Sequence, residues 1–426
     1  MLKVIKNHLN SGMRRDVVWT FSIQILIMLC SFAINKLLAS RLSIDDFGQY
    51  NVIKRSVQVL SFVMLAGVGI ALPRYIPLYR NSNPPRKITP LLSASMIYII
   101  GISLVVFLVC MLFSTQMQDI VIGESDNKTL LFIALAYAFI LAMAQYIFAY
   151  YRGIGNFQWY NGTQLAMQLS IIVPLVLLPV LTVSNVFISW LLITILLVAY
   201  LSGRELWRKF QCTILKFETF RESLHEIVKY SSGRLVADFF QFSLAAFPLI
   251  YISNIEGLQT TAYFSVGITF VTMITPFFSF MGIILLPYVS QAIARHEMAS
   301  ADRLILRLSL LYVGAALAII VGLCLFTEFL TTLLFASEYV VTTDLTRIMV
   351  LSILPQAAYM LYRNTIDAVS VIPYNAIILG ISLLAMVVGF IFSTSLTQFA
   401  WAYTAVSTLQ GLLSWITWIV IRSKQS

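Results

Sequence analysis

Long apolar runs separated by short polar ones dominate this chain. A membrane-spanning helix needs ~20 mostly apolar residues. About twelve stretches meet that length: 17–40, 48–72, 88–113, 129–151, 163–181, 184–203, 230–253, 261–288, 305–328, 341–362, 371–393 and 399–421. The runs are continuous and lack the period-two alternation of a barrel strand. The expected fold class is therefore an all-α polytopic membrane protein. The first run is too long for the apolar core of a secretory leader, and no small-residue cleavage site follows it, so it reads as a retained helix.

Composition agrees with the pattern. Of 426 residues, 59% are hydrophobic and 11% are charged, where a soluble domain carries about 25% charged. The net charge of +10 is explained by where the cations lie. With the N-terminus inside, cytoplasmic loops hold about 20 of the 28 Lys and Arg, and external loops about 2. The basic segments are "KVIKNHLNSGMRR", "RYIPLYRNSNPPRK", "GRELWRKFQCTILKFETFRESLHEIVK" and "RSKQS"; the outer loops are short and acidic, with Asp45, Asp46, Asp119, Glu124, Asp126, Glu256 and Glu338. Both termini are then cytoplasmic. Basic charge distributed in this way is a topology signal, and no nucleic-acid partner is expected.

Cys30, Cys110 and Cys324 lie in apolar runs and Cys212 in a central loop, without paired spacing. His8, His225 and His296 are far apart in loops. Neither disulfides, a metal nor a cofactor is expected. No G-x-x-x-x-G-K-[ST] motif occurs, so any energy would come from an ion gradient, the membrane potential or the substrate's own gradient.

Two halves emerge. The longest polar stretch, 204–229, mixes Leu206, Phe210, Ile214, Phe217 and Phe220 with Arg204, Arg208, Lys209, Lys216 and Arg221. It reads as a cytoplasmic amphipathic linker on the inner leaflet. An N-terminal lobe over 1–203 and a C-terminal lobe over 230–426 would carry six helices each. Residues 45–75 and 258–290 resemble one another, with Tyr50 matching Tyr263, Gly69 matching Gly282, and Pro73 matching Pro287 with a one-residue slip. Equal span counts and a shared starting side imply parallel repeats about an axis along the membrane normal, a transporter architecture.

Charges inside the runs are the candidate chemistry. A charge at the bilayer centre costs about 2.5–3.5 kcal/mol on insertion scales, so it snorkels out or has a use. Arg307 and Arg347 lie near run ends and read as snorkelling. Lys36 lies one turn from the outer end of its run and either snorkels or faces a cavity. Lys54 and Arg55 are adjacent, about two turns inside the outer end. They point about 100° apart on a helix, which suggests a wet interior.

The run from 230 opens "YSSGRLVADFFQF", placing Arg234 and Asp238 at i,i+4 on one face. Asp238 is either half of an internal ion pair or an acid able to couple proton or ion movement. Arg74 and Arg152 stand at cytoplasmic mouths as positive-inside residues placed to meet an anion. Arg363 and Asp367, again i,i+4, read as a solvated pair near the same surface. A cavity of mostly positive sign suits a phosphate or diphosphate group.

The stretch "LASRLSIDDFGQY", through Arg41, Leu42, Asp46, Phe47, Gly48 and Tyr50, resembles the start of the polysaccharide-type flippases, the O-antigen and exopolysaccharide repeat-unit transporters of the MATE-like superfamily. "AYFSVGITFVTMITPFFSFMGIILLPYVS" resembles that family's eighth helix. The resemblance implies a twelve-helix, two-lobed fold with a cationic cavity. It implies movement of a polyprenyl-diphosphate-linked oligosaccharide from the cytoplasmic to the periplasmic leaflet of a bacterial inner membrane, for surface polysaccharide such as lipopolysaccharide O-antigen or exopolysaccharide. The positions matching the family's cavity residues are Lys36, Lys54, Arg55, Arg234 and Asp238. The partners implied are the lipid-linked glycan, membrane lipids, and a polysaccharide polymerase and glycosyltransferases. The eighth helix departs from the family in carrying no charge. A multidrug or small-molecule exporter of the same fold is the alternative. A membrane polymerase or ligase ranks last, because the external loops are short and almost free of Lys and Arg. No enzymatic activity is expected.

Overall fold

The computed structural model describes residues 11–82, 86–123, 127–205, 217–279, 298–370 and 373–423. The helices of its first part are α1 (Ser11–Arg41), α2 (Ile44–Leu65), α3 (Val68–Asn81), α4 (Ile88–Leu112), α5 (Ser114–Val121), α6 (Lys128–Gly153), α7 (Phe157–Ser170), α8 (Ile172–Leu177) and α9 (Val183–Glu205). Then come α10 (Phe217–Ile255), α11 (Leu258–Ser279), α12 (Met298–Leu334), a 3-10 turn (Ser337–Thr342), α13 (Thr343–Val350), α14 (Ile353–Val369), α15 (Tyr374–Ile391) and α16 (Leu396–Ser423). No strand occurs among the described residues. The expected all-α polytopic membrane fold is what the chain has.

Among the described residues, ten helices are long and apolar enough to cross a membrane. An eleventh crossing results if Ser337–Val350 and Ile353–Asp367, bent by 42°, count as one span. The difference from twelve arises where proline interrupts a run. The expected 163–181 span is split between α7 and α8 at Ile171. Pro174 has no N–H to offer the Ser170 carbonyl, so the ladder cannot pass that point. Pro355 does the same to the Leu351 carbonyl in the expected 341–362 span.

Helix two is also broken. Ala66 (φ 50°, ψ 41°) and Gly67 (φ 75°, ψ −1°) are left-handed and separate α2 from α3. A left-handed alanine costs roughly 1–2 kcal/mol. At Gly67 a Cβ would stand 2.9 Å from that of Ser231.

The chain forms two compact units, residues Met1–Asp46 with Ile53–Phe239, and Phe47–Val52 with Phe240–Ser426. In the first, α1 and α7 are joined by amides and hydroxyls. Asn161 donates to Thr20 at 2.7 Å, Gln24 to Gln164 at 3.0 Å, and Gln168 to Ser31 at 2.9 Å. In the second, the core is aromatic: Phe390 meets Phe247, Tyr251, Phe264 and Phe399 at centroid distances of 5.7, 5.9, 6.1 and 5.1 Å. Residues 217–229 of the expected linker continue without a break into the membrane-length part of α10. Linker residues 206–216, and Gly282 and Pro287 of the expected eighth helix, lie outside the described residues.

Candidate functional site in the first unit

The stretch leading into helix two is built for tight helix entry. Ser43 caps α2 by accepting the Asp46 N–H at 3.1 Å, and its hydroxyl donates to the Asp46 carboxylate at 2.7 Å. Asp45 and Asp46 place negative charge in the first turn, where the helix dipole favours it. In the second unit, Phe47 packs on Tyr50 and edge-on to Tyr339 at 6.0 and 5.4 Å. A Cβ on Gly48 would collide with the Leu258 carbonyl. Leu42 is buried. Arg41 reaches from the end of α1 to the end of α8, donating to the carbonyls of Leu175 at 2.5 Å, Leu178 at 2.6 Å and Pro179 at 3.0 Å. The Leu175 carbonyl lacks its helical donor because residue 179 is proline. The residues that carry the family resemblance therefore cap, pack and close backbone.

Arg152 works in the same way. Its guanidinium donates to the Gly69 carbonyl at 2.7 Å. That carbonyl would ordinarily take the N–H of residue 73, which is proline. The contact is close because Gly153 lets the end of α6 approach: a Cβ there would sit 3.0 Å from the Leu72 carbonyl. Arg152, expected at a cytoplasmic mouth, thus binds backbone in this structure.

Lys54 and Arg55 project from α2 and are both half-buried. Arg55 donates to Gln58 at 3.4 Å. Lys36 is half-buried on α1, beside buried Asn35, whose amide donates to the Ser31 carbonyl at 2.8 Å. Asp238 is buried on α10, at 9% exposure. Arg234 lies one turn earlier on that helix, and its side chain is outside the described residues. All five positions belong to the first unit.

Arg74 is exposed and lies 4.4 Å from the centroid of Tyr230, a ring that Tyr75 also meets edge-on at 5.7 Å. Next to it, Tyr79 donates to Glu226 at 2.7 Å, and Arg86 pairs with Glu222 at 2.6 Å and with Glu226 at 3.1 Å. Partial burial works against the Arg86 charge, but its hydrogen bonds to Glu226 and Glu222 win and raise its pKa above the usual value. This pairing of α3's exit with the start of α10 could have been anticipated only from the basic and acidic runs taken together.

In the second unit Arg363 and Asp367 find separate partners. Arg363 donates to Gln241 at 3.3 Å, which also accepts from Tyr359 at 3.2 Å. Exposed Asp367 accepts from Asn375 at 2.7 Å. The α1–α7 amide seam was not singled out from the sequence. Its trace is Asn161, Gln164 and Gln168, spaced three and four apart on one helical face.

Many membrane-length helices with no strand among the described residues define the class: a polytopic all-α membrane protein. Residues 13–293 match the family model described as polysaccharide biosynthesis protein, and the chain belongs to that family. No curated protein sequence matches the chain. Solved structures that share the fold include the following three. The lipid II flippase MurJ in an inward closed conformation is 13% identical, covering 94% of this chain and 87% of its own, with a TM-score of 0.72. An inward-facing multidrug resistance MATE transporter of the MOP superfamily is 12% identical, covering 96% and 100%, with a TM-score of 0.71. A MOP superfamily transporter from Pyrococcus furiosus, described as having a binding pocket of reversed polarity, is 13% identical, covering 96% and 93%, with a TM-score of 0.64.

Proposed function

We propose that this protein is a flippase that carries a polyprenyl-diphosphate-linked oligosaccharide repeat unit from the cytoplasmic to the periplasmic leaflet of a bacterial inner membrane, for surface polysaccharide such as O-antigen or exopolysaccharide. The observation that carries the reading is the Lys54–Arg55 pair. It sits ten residues, ~15 Å of helix, into a membrane-length helix of a polysaccharide biosynthesis family member, half-buried rather than at a helix end. Adjacent cations at that depth match an anionic head group, and guanidinium binds phosphate oxygens in pairs.

On this reading Lys54, Arg55, Arg234 and Lys36 hold the diphosphate, and Asp238 is the coupling acid. Arg74 meets the head group on entry. Lobes over 1–203 and 230–426 alternate access, with both termini cytoplasmic, and the lipid tail stays in the bilayer. Translocation makes and breaks no covalent bond. A polymerase and glycosyltransferases supply and consume the glycan.

The test is a strain lacking the protein, from which lipid-linked glycans are extracted and assigned to a leaflet. Single repeat units held on the cytoplasmic side, with surface glycan lost, are expected, and Lys54→Gln or Arg55→Gln fails to restore the glycan. Single units on the periplasmic face would make polymerisation the missing step. Unchanged glycans with new sensitivity to cationic dyes would favour the exporter reading. Either of these overturns the proposal.

A further inference from the structure

One face of α1 is a line of amides and hydroxyls. Thr20, Gln24, Ser31 and Asn35 lie four, seven and four residues apart in the Trp19–Arg41 span, within about 60° of one another around the helix. The stripe is ~22 Å long. Helix α7 meets it in the same chain order: Asn161 bonds Thr20, Gln164 bonds Gln24, and Gln168 bonds Ser31. The two helices therefore run in the same direction, polar face to polar face.

These bonds use only part of what the amides offer. The Gln24–Gln164 bond takes the amide nitrogen of the first and the carbonyl of the second, and Gln168 donates its amide to Ser31. Among the described residues, no further hydrogen bond reaches the carbonyl oxygens of Gln24 and Gln168 or the amide nitrogen of Gln164. All three side chains are half-buried. Deeper in the seam, Asn35 and Asn161 are 2% and 0% exposed, and the side-chain carbonyl oxygen of each lacks a partner among the described residues. Amides across a helix pair can serve as glue. Glue gains nothing from buried carbonyl oxygens left unpaired, because each loses its water without a replacement.

The unused groups define the ligand they suit. A cation would engage only the carbonyls, an anion only the amide N–H groups, and an apolar molecule neither. A hydroxyl both donates and accepts, and a sugar presents several in a row.

Resting on the flippase reading above, we propose that the α1–α7 seam is the subsite for the sugar hydroxyls of the carried glycan. The Gln24 and Gln168 carbonyls accept from them, and the Gln164 amide donates to them. Lys36, assigned above to the diphosphate, directly follows Asn35 on α1, so one helix meets both parts of the head group.

The experiment uses the full chain in phosphatidylethanolamine–phosphatidylglycerol nanodiscs, free of sugar-based detergent. The probes are undecaprenyl diphosphate, bare or carrying one N-acetylglucosamine or one galactose, and affinity is read by thermophoresis. The sugar-bearing probes are expected to bind about tenfold tighter than the bare carrier. Gln24→Leu combined with Gln164→Leu replaces both partners of one bond by apolar side chains of similar size, which a fold tolerates; an unchanged thermal unfolding curve checks this. That double variant, and Gln168→Leu in a separate protein, each bring the sugar-bearing probes down to the affinity of the bare carrier. Equal affinities for all three probes in the unaltered protein would mean that only water occupies the seam, and overturn the proposal. A sugar preference that survives both variants overturns it too, because the seam is then glue alone. Neither result touches the flippase reading. That reading fails separately, if Lys54→Gln with Arg55→Gln leaves the affinity for bare undecaprenyl diphosphate unchanged.

Discussion

The second helix of the first repeat and its counterpart in the second have opposite characters. Residues Ile44–Asn81 are broken at Ala66–Gly67, carry Lys54 and Arg55 in mid-span, and have half of their most apolar window buried. Helix α11, Leu258–Ser279, has no charged residue, and 71% of its window is buried. Related sequence positions have thus become a broken helix carrying two cations in one unit and an uncharged, more deeply buried helix in the other. The surroundings differ in the same sense, with amide and hydroxyl pairs between α1 and α7 in the first unit and rings around Phe390 in the second. A cation is tolerated where polar groups and water surround it and excluded where aromatic packing leaves neither.

The largest expected effect comes from moving charge into the dry helix. Val266 is fully buried in α11, so Val266→Lys should destabilise by about 3–5 kcal/mol. Lys54→Met should change stability by less than about 1 kcal/mol, because a hydrated cation contributes little to the fold. Thermal unfolding of both variants in detergent compares them directly. Equal losses would mean that α2 is as dry as α11.

Next in size is the clamp on the broken helix. Arg152→Met leaves the Gly69 carbonyl without a donor and should cost about 1.5–3 kcal/mol. In a Pro73→Ala background the new N–H can serve that carbonyl, so the same change should cost much less. A double-mutant cycle reads the coupling; additive losses would show that Arg152 acts elsewhere.

The smallest effect is a reversal of sign. Ala66→Gly should stabilise by about 0.5–1 kcal/mol, because glycine accepts the left-handed conformation without a Cβ clash. Ala262→Gly, at a fully buried helical position of α11, should destabilise by about 1 kcal/mol. Two losses of the same sign would remove strain at Ala66 as a distinguishing feature.

Much of this protein was determined by sequence alone. Apolar runs of membrane length declare spanning helices, because a bilayer leaves a backbone no other way to satisfy its polar groups. The "LASRLSIDDFGQY" stretch points to the family from sequence alone, and the cations inside the runs supply the expectation of a cationic site. The roles of individual arginines were not legible in this way. Arg41, Arg152 and Arg74 are equivalent as positive charges at run ends. Folding makes the first two donors to carbonyls orphaned by Pro179 and Pro73, and sets the third against the Tyr230 ring. The split of the 163–181 run follows from Pro174 and is written in the sequence, whereas the Ala66–Gly67 break has no proline to announce it and stands against Ser231 of a distant helix. Hydropathy is a property of each residue and survives in the linear sequence. Which carbonyl lacks a donor, and which distant guanidinium reaches it, is a property of helices brought together, and only the tertiary structure decides it.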